Sequence, residues 1–230
     1  MRIFCLLSIL LLSVFSVEGY GMSDTSIYSK INGNRGEGIS NLKGVRNLRV
    51  VLNGVLYRSG ANNVYGPIIS RSNDSPLSFQ TLLNLREQGF RGAYYLYNSN
   101  FDSVGWPQML PALKAVDMEY SSVIPKTDSA ACIILTDVYH SIKGISKGAI
   151  LVHCWNGWHM SGLMSVYALM QFCDFNPVDA WEYWKTCTDN NYNGFEKIRK
   201  RIFEFIPDKD MKITEDEKKK ICPCEEATKK

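Results

Sequence analysis

This sequence predicts an α/β fold with a mostly parallel central sheet flanked by helices, and three observations predict it. Short β-branched or aromatic runs alternate with helical stretches from residue 77 onward. One run, Ala149-Ile150-Leu151-Val152, is apolar throughout, the pattern of a strand covered on both faces. A hairpin signal, Asn53-Gly54 between two apolar runs, stands in front of them.

In chain order, residues 1–19 read as a signal peptide. Arg2 supplies the positive start, Phe4 to Val17 is an apolar run of 14 residues too short for a typical membrane span, and Val17-Glu18-Gly19 suits cleavage after Gly19. The expected product is secreted or periplasmic, with no membrane span in its mature form. Residues 20–44 are a Gly, Ser and Asn-rich lead-in. Val45 to Leu52 is expected as a strand and Val55 to Tyr57 as its hairpin partner, ending at Arg58-Ser59-Gly60. Residues 61–76 form a loop carrying the sequon Asn73-Asp74-Ser75, weakened by Pro76. Leu77 to Gln88 has helical spacing and stops at Gly89. A strand over Gly92–Tyr97, a helix over Trp106–Val116, a strand over Met118–Ile124, and a helix from Thr127 or Asp128 to about Ile145 follow. After the strand at 149–152 come helices over Ser161–Cys173, Val178–Thr186 and Phe195–Phe205. The domain is expected to span 45–206, with 207–230 as a charged, solvated tail.

The 230 residues suit one core after export processing. With 45% hydrophobic and 21% charged residues the chain is globular, and a net charge of +3 argues for neither nucleic acid nor a membrane surface. Past the leader, six cysteines remain: 132, 154, 173, 187, 222 and 224. In an oxidising compartment some can pair. Cys222-Pro223-Cys224 either bridges to Cys187 or stays a flexible thiol pair; sequence alone does not settle the connectivity. Three His and scattered Cys give no ligand spacing, so neither a metal nor another cofactor is expected. His140 lies on a helix face away from any site, the aromatic residues Trp181, Tyr183, Trp184 and Tyr192 are expected in the core, and the polar loop 189–194 lacks calcium-loop spacing.

The chemistry concentrates in His153-Cys154-Trp155-Asn156-Gly157-Trp158-His159-Met160-Ser161-Gly162, which joins a buried strand to a helix. Main-chain N–H groups converge in such a loop, and the helix N-terminus adds partial positive charge. A cysteine at its start has its thiolate favoured, and a thiolate beside an anion cradle is equipped to attack phosphorus. Gly157 permits the tight backbone, and the Ser161 hydroxyl is placed to assist Cys154 when sulfur leaves.

These residues resemble the signature of the cysteine-dependent protein tyrosine and dual-specificity phosphatases: His-Cys, five residues, Arg, then Ser or Thr. His153, Cys154, Gly157, Ser161 and Gly162 fall in register with it. Leu56-Tyr57-Arg58-Ser59-Gly60, the helix 77–88, the strand 92–97 and Val123-Ile124-Pro125 match the layout of the secreted, bacterial-type dual-specificity-like branch. The resemblance covers residues 45–205. It implies a phosphatase-like fold, Cys154 as nucleophile, residues 155–160 as anion-binding loop and Ser161 as assistant.

Two departures stand against it. Met160 occupies the position of the family's Arg, whose planar fork grips two phosphate oxygens. Losing about two charge-assisted bonds, each worth roughly 1.5–3 kcal/mol, predicts a rate penalty on the order of 10² to 10⁴. The family's general acid is an Asp in an earlier loop; Asp128 is the nearest candidate, though it equally suits a helix N-cap. His159, Lys126 and Arg58 are candidate substitute cations, with a structural role the family's usual use of Arg58. Trp155 and Trp158 are expected as rim packing or as an aromatic wall. Two functions follow: an exported, divergent cysteine-dependent hydrolase of phosphate esters, or an inactive module binding a phosphorylated or otherwise anionic small molecule or protein. Other cysteine chemistry and a purely structural thiol also remain.

Overall fold

The computed structural model describes residues 30–33, 45–61, 76–97 and 106–223. The expected signal peptide, most of the lead-in, the sequon and Cys224 lie outside these residues.

Five strands form one sheet in the order β1-β2-β5-β3-β4. β1 (Arg49–Leu52) and β2 (Leu56–Ser59) make the expected antiparallel hairpin, with Arg49 opposite Arg58. β3 (Phe90–Tyr95), β4 (Glu119–Ser122) and β5 (Ala149–His153) run parallel to one another and to β2. The expected α/β class, mostly parallel with an N-terminal hairpin, is the observed one. β5 lies in the middle, and its residues are buried throughout. Ile150 and Val152 face one apolar cluster, and Ala149 and Leu151 face the other. The two clusters are the two faces of the sheet.

The first cluster packs β5 against α3 (Asp128–Ile142), α4 (His159–Phe172), α5 (Pro177–Thr186) and α6 (Glu196–Glu204). The second packs it against α1 (Phe79–Glu87) and α2 (Trp106–Ala115). Helix signals in the sequence act where expected. Ser78 caps α1 by accepting from the Thr81 N–H, Asn176 caps α5 ahead of Pro177, and Gly89 leaves α1 at φ +86°. Several boundaries move. Residues 45–48 precede the first strand, which begins at Arg49, and α3 stops at Ile142, where Lys143 and Gly144 close it. α4 begins two residues before Ser161, at His159, and is buried almost all round.

The C-terminal segment is not the solvated tail expected for 207–230. It contains α7 (Glu215–Ile221), opened by a Thr214/Glu217 capping box. Met211 and Ile221 are buried in the first cluster, and the Ile221 carbonyl accepts from the Asn53 N–H of the hairpin turn at 2.7 Å. The cysteine pairing also differs. Cys222 is bonded to Cys173 at the end of α4, and Cys187 is a free, fully buried thiol. Among the described residues no helix is long and apolar enough to cross a membrane, and no cluster of three ligating side chains is placed to hold a metal.

Candidate functional site

Parallel pairing of β2 with β5 sets Ser59 opposite His153, so the chain leaves both strands side by side at their carboxyl ends. Gly60 and Ala61 emerge from one strand, Cys154 and Trp155 from the other. Such strand ends are where ligands bind in open α/β sheets. The loop from Trp155 to Trp158 then turns into α4.

Four successive carbonyl groups of that loop are tied to the hairpin side. The Trp155 oxygen accepts from the Ala61 N–H at 2.7 Å, and the Asn156 oxygen from Asn47 Nδ2 at 2.6 Å. Arg58 Nη2 donates to the Gly157 oxygen and, at 3.3 Å, to the Trp158 oxygen. In a trans peptide the C=O and the following N–H point in opposite directions. The N–H groups of Asn156, Gly157, Trp158 and His159 are thereby turned away from the hairpin. Gly157 makes this possible. It sits at φ +75°, and a Cβ there would lie 2.6 Å from the Gly60 nitrogen and 2.8 Å from the Ser59 carbonyl carbon.

Cys154 is 3% exposed, and its Sγ lies 3.3 Å from Ser161 Oγ. The two residues paired by sequence register are therefore in contact. His153 is completely buried between the rings of Tyr95 and Tyr120. Tyr120 accepts from the Leu77 N–H at 2.9 Å, which leaves its own O–H to donate to His153 Nε2 at 2.8 Å. Burial holds the His153 pKa down to about 3, so the ring is neutral and carries its proton on Nδ1. It orients the turn rather than acting as a base.

Two of the three candidate cations, Arg58 and His159, are engaged elsewhere. Arg58 has no accessible surface. Burial favours its neutral form, but the nearby Cys187, Tyr183 and Cys154 side chains outweigh that, and it stays charged. Its fork is directed at main-chain carbonyls, including that of Cys187 at 3.5 Å, so it braces the loop from behind. His159 Nε2 bonds the Asn191 carbonyl at 2.8 Å, and its ring stacks on Phe195 at 3.7 Å. Burial, with Arg58 nearby, lowers its pKa. Lys126 is exposed in the turn before α3. Met160 packs against the same apolar cluster that contains Cys154.

Asp128 is not brought to Cys154. Thr127, not Asp128, is the N-cap of α3, its hydroxyl accepting from the Ala130 N–H. Asp128 instead lines a cavity of about 650 Å³ with Cys132, Gln171, Glu204 and the 205–211 segment. Helix direction decides this: Asp128 lies in the first turn of a helix whose cap is its predecessor.

Two further contributors, Asn47 and Tyr97, are not singled out by sequence, and a third, Asp189, only as the start of the polar loop 189–194. Asn47, at φ +50°, supplies the amide that holds the Asn156 carbonyl. Asp189 Oδ2 receives both Trp158 Nε1 at 3.2 Å and Lys30 Nζ at 2.8 Å, tying the loop to the turn after α5 and to the lead-in. Tyr97 stacks on Trp155 with ring centroids 4.6 Å apart. Trp155 also donates its Nε1 to the Tyr95 hydroxyl at 3.0 Å, so its ring is held by both a stack and a hydrogen bond. The sequence signals for Asn47 and Tyr97 are faint: a lone Asn after Arg46, and a Tyr at the end of an aromatic strand.

No family model and no curated protein matches the chain. Among solved structures it is similar to the core catalytic domain of the PP-IP phosphatase SIW14 from S. cerevisiae in complex with citrate. That likeness has 13% identity, covers 72% of this chain and 88% of that one, and gives a TM-score of 0.48. Kinase associated phosphatase, with its catalytic-site cysteine replaced by serine, is similar at 13% identity over 66% and 89% of the two chains, TM-score 0.44. P. aeruginosa TpbA is similar at 13% identity over 66% and 91%, TM-score 0.37.

Proposed function

We propose that this chain is an exported, phosphatase-like protein whose Cys154 loop receives a phosphate ester or a related anionic ester on main-chain donors. The observation that carries this reading is the set of four carbonyls, from Trp155 to Trp158, held on the hairpin side. Their arrangement turns the intervening N–H groups toward the face at which α4 begins. An anion there gains the main-chain donors and the helix dipole.

In the hydrolytic reading, the Cys154 thiolate attacks phosphorus. An S–P bond forms as the P–O bond to the ester oxygen breaks, and that oxygen leaves as its anion, to be protonated by solvent water. Water then attacks phosphorus, the S–P bond breaks, and phosphate departs. The Ser161 hydroxyl, 3.3 Å from the sulfur, donates to it as it leaves. With Met160 in place of a guanidinium, the pentavalent transition state keeps its main-chain donors and lacks the charged fork. Turnover is accordingly slow, reduced on the order of 10² to 10⁴ against a site with arginine.

The second reading, an inactive module that binds a phosphorylated ligand, is favoured by the packing of Met160 into the apolar cluster and by the engagement of Arg58 and His159 elsewhere.

Mature protein assayed with an aryl phosphate separates the readings, because a phenolate leaves without an acid. The hydrolase predicts slow turnover that Cys154→Ser abolishes and Met160→Arg raises by about 10² or more. No turnover in the native chain, with phosphate bound and turnover appearing in Met160→Arg, assigns the binding module. A native chain that neither binds phosphate nor turns over the ester sinks both.

A further inference from the structure

Resting on the reading of residues 154–161 as an anion site, we propose that the Tyr97 hydroxyl is a hydrogen-bond donor to the anion, taking over part of the work that Met160 cannot do.

Tyr97 stands two residues past β3, where the chain is tied to the site at two points. The Leu96 N–H donates to the His153 carbonyl at 2.9 Å, and the Tyr97 carbonyl accepts from Ser122 Oγ at 2.6 Å. The backbone at 96–97 is therefore held beside the residue that precedes Cys154. The Tyr97 ring is fixed in turn by stacking on Trp155, the residue that follows Cys154, with planes 16° apart. Ring and main chain thus bracket the cysteine. Tyr97 is half-buried and packs against both apolar clusters.

Its neighbours Tyr95 and Tyr120 have their hydroxyls engaged, by Trp155 Nε1 and by Leu77 N–H and His153. The Tyr97 hydroxyl has no hydrogen-bond partner among the described residues, which leaves its O–H available to a ligand. Burial first, and then negative charge on Cys154, push its pKa up to about 12. The hydroxyl consequently keeps its proton, and a bound anion would hold it there more firmly.

The position is also the right one chemically. Asp128 faces a different cavity, Lys126 is exposed, and Arg58 and His159 are committed to carbonyl groups. A neutral phenol supplies one hydrogen bond where a guanidinium would supply two charged ones. That trades affinity and transition-state charge stabilisation for a donor that tolerates an apolar surrounding.

The test uses the mature chain and inorganic phosphate as probe, with binding followed calorimetrically. Tyr97→Phe keeps the stack on Trp155 and removes only the hydroxyl. It is expected to bind phosphate roughly 5- to 20-fold more weakly than the native chain, the loss of one hydrogen bond, with an unchanged thermal midpoint. Tyr97→Leu removes both ring and hydroxyl, and is expected to be at least as weak. Native binding that is unchanged in Tyr97→Phe and falls only in Tyr97→Leu overturns the inference, since the stack and not the hydroxyl then carries the effect. Failure of the native chain itself to bind phosphate at millimolar concentration overturns the anion site and the Tyr97 role together, and is recognisable because all three proteins then behave alike.

Discussion

Arg58 directs its guanidinium at the carbonyls of Gly157, Trp158 and Cys187 and exposes none of its surface. At the scale of single residues, this makes it the brace that sets the loop's direction. Arg58→Met preserves length and apolar volume but strands the Gly157 and Cys187 oxygens. Each buried acceptor left without a donor costs about 1–3 kcal/mol. The variant should therefore lose about 3 kcal/mol or more, read as a fall in the urea midpoint. A variant as stable as the native chain would show that the loop holds its shape without the guanidinium. Arg58 was legible as a residue of interest because it follows a strand end, and its structural use matches what the family resemblance implied. That it faces carbonyls rather than a bound anion depends on which side of the loop β2 lies, a matter of strand order. The same holds for His159. Its sequence position beside Met160 suggests a cation at the site, yet the register of α4 turns its ring onto Phe195 and the Asn191 carbonyl.

At the scale of elements, α7 is the instructive case. Its sequence, Glu215-Asp216-Glu217-Lys218-Lys219-Lys220-Ile221, has no apolar stripe, so hydrophobic periodicity is silent. Its signals are electrostatic: Thr214 with Glu217 three residues on, acids in the first turn and lysines in the last. What holds the helix to the domain is tertiary. Lys143 pairs with Glu217 at 2.9 Å, Ile221 is buried, and Cys222 is bonded to Cys173 across 49 residues. Closing a loop of that length restricts the unfolded chain by about 4 kcal/mol in the chain-entropy account. Cys222→Ser, compared with the native chain under non-reducing conditions, should lose a large share of that, seen as a lower thermal midpoint. An identical midpoint in the reduced, oxidised and serine forms would mean that the bridge contributes nothing to the domain. The boundaries of β1, β4 and α3 shifted by a few residues from their expected limits because caps and ladder partners, not composition, end an element.

At the scale of the whole molecule, the sheet joins the two apolar clusters and buries His153 at their junction with the site. Its consequence is a pH dependence of global stability. The folded pKa of His153 is about 3, below the ordinary value of 6.5. Above pH 6.5 the ring is neutral folded or unfolded, and its contribution is complete. As pH falls from 6.5 toward 3 the unfolded chain takes up a proton that the folded chain refuses, so stability declines by up to about 1.4 kcal/mol per pH unit. Urea unfolding at pH 7 and at pH 4.5 should show a loss on the order of 2 kcal/mol from this group, and a His153→Gln variant should lack that component of the slope. A native slope matched by the variant would place the acid sensitivity elsewhere.

By itself, the sequence determined the α/β class, the hairpin, the order of strands and helices up to α6, and the pairing of Cys154 with Ser161. All of these rest on local periodicity, turn residues and spacing along one loop. Only the tertiary structure decided that Cys222 meets Cys173, that Asp128 faces another cavity, that Arg58 braces carbonyls, and that Tyr97 lies against Trp155. Those are contacts between segments distant in the chain, chosen by strand order and helix register, and no local pattern of residues encodes them.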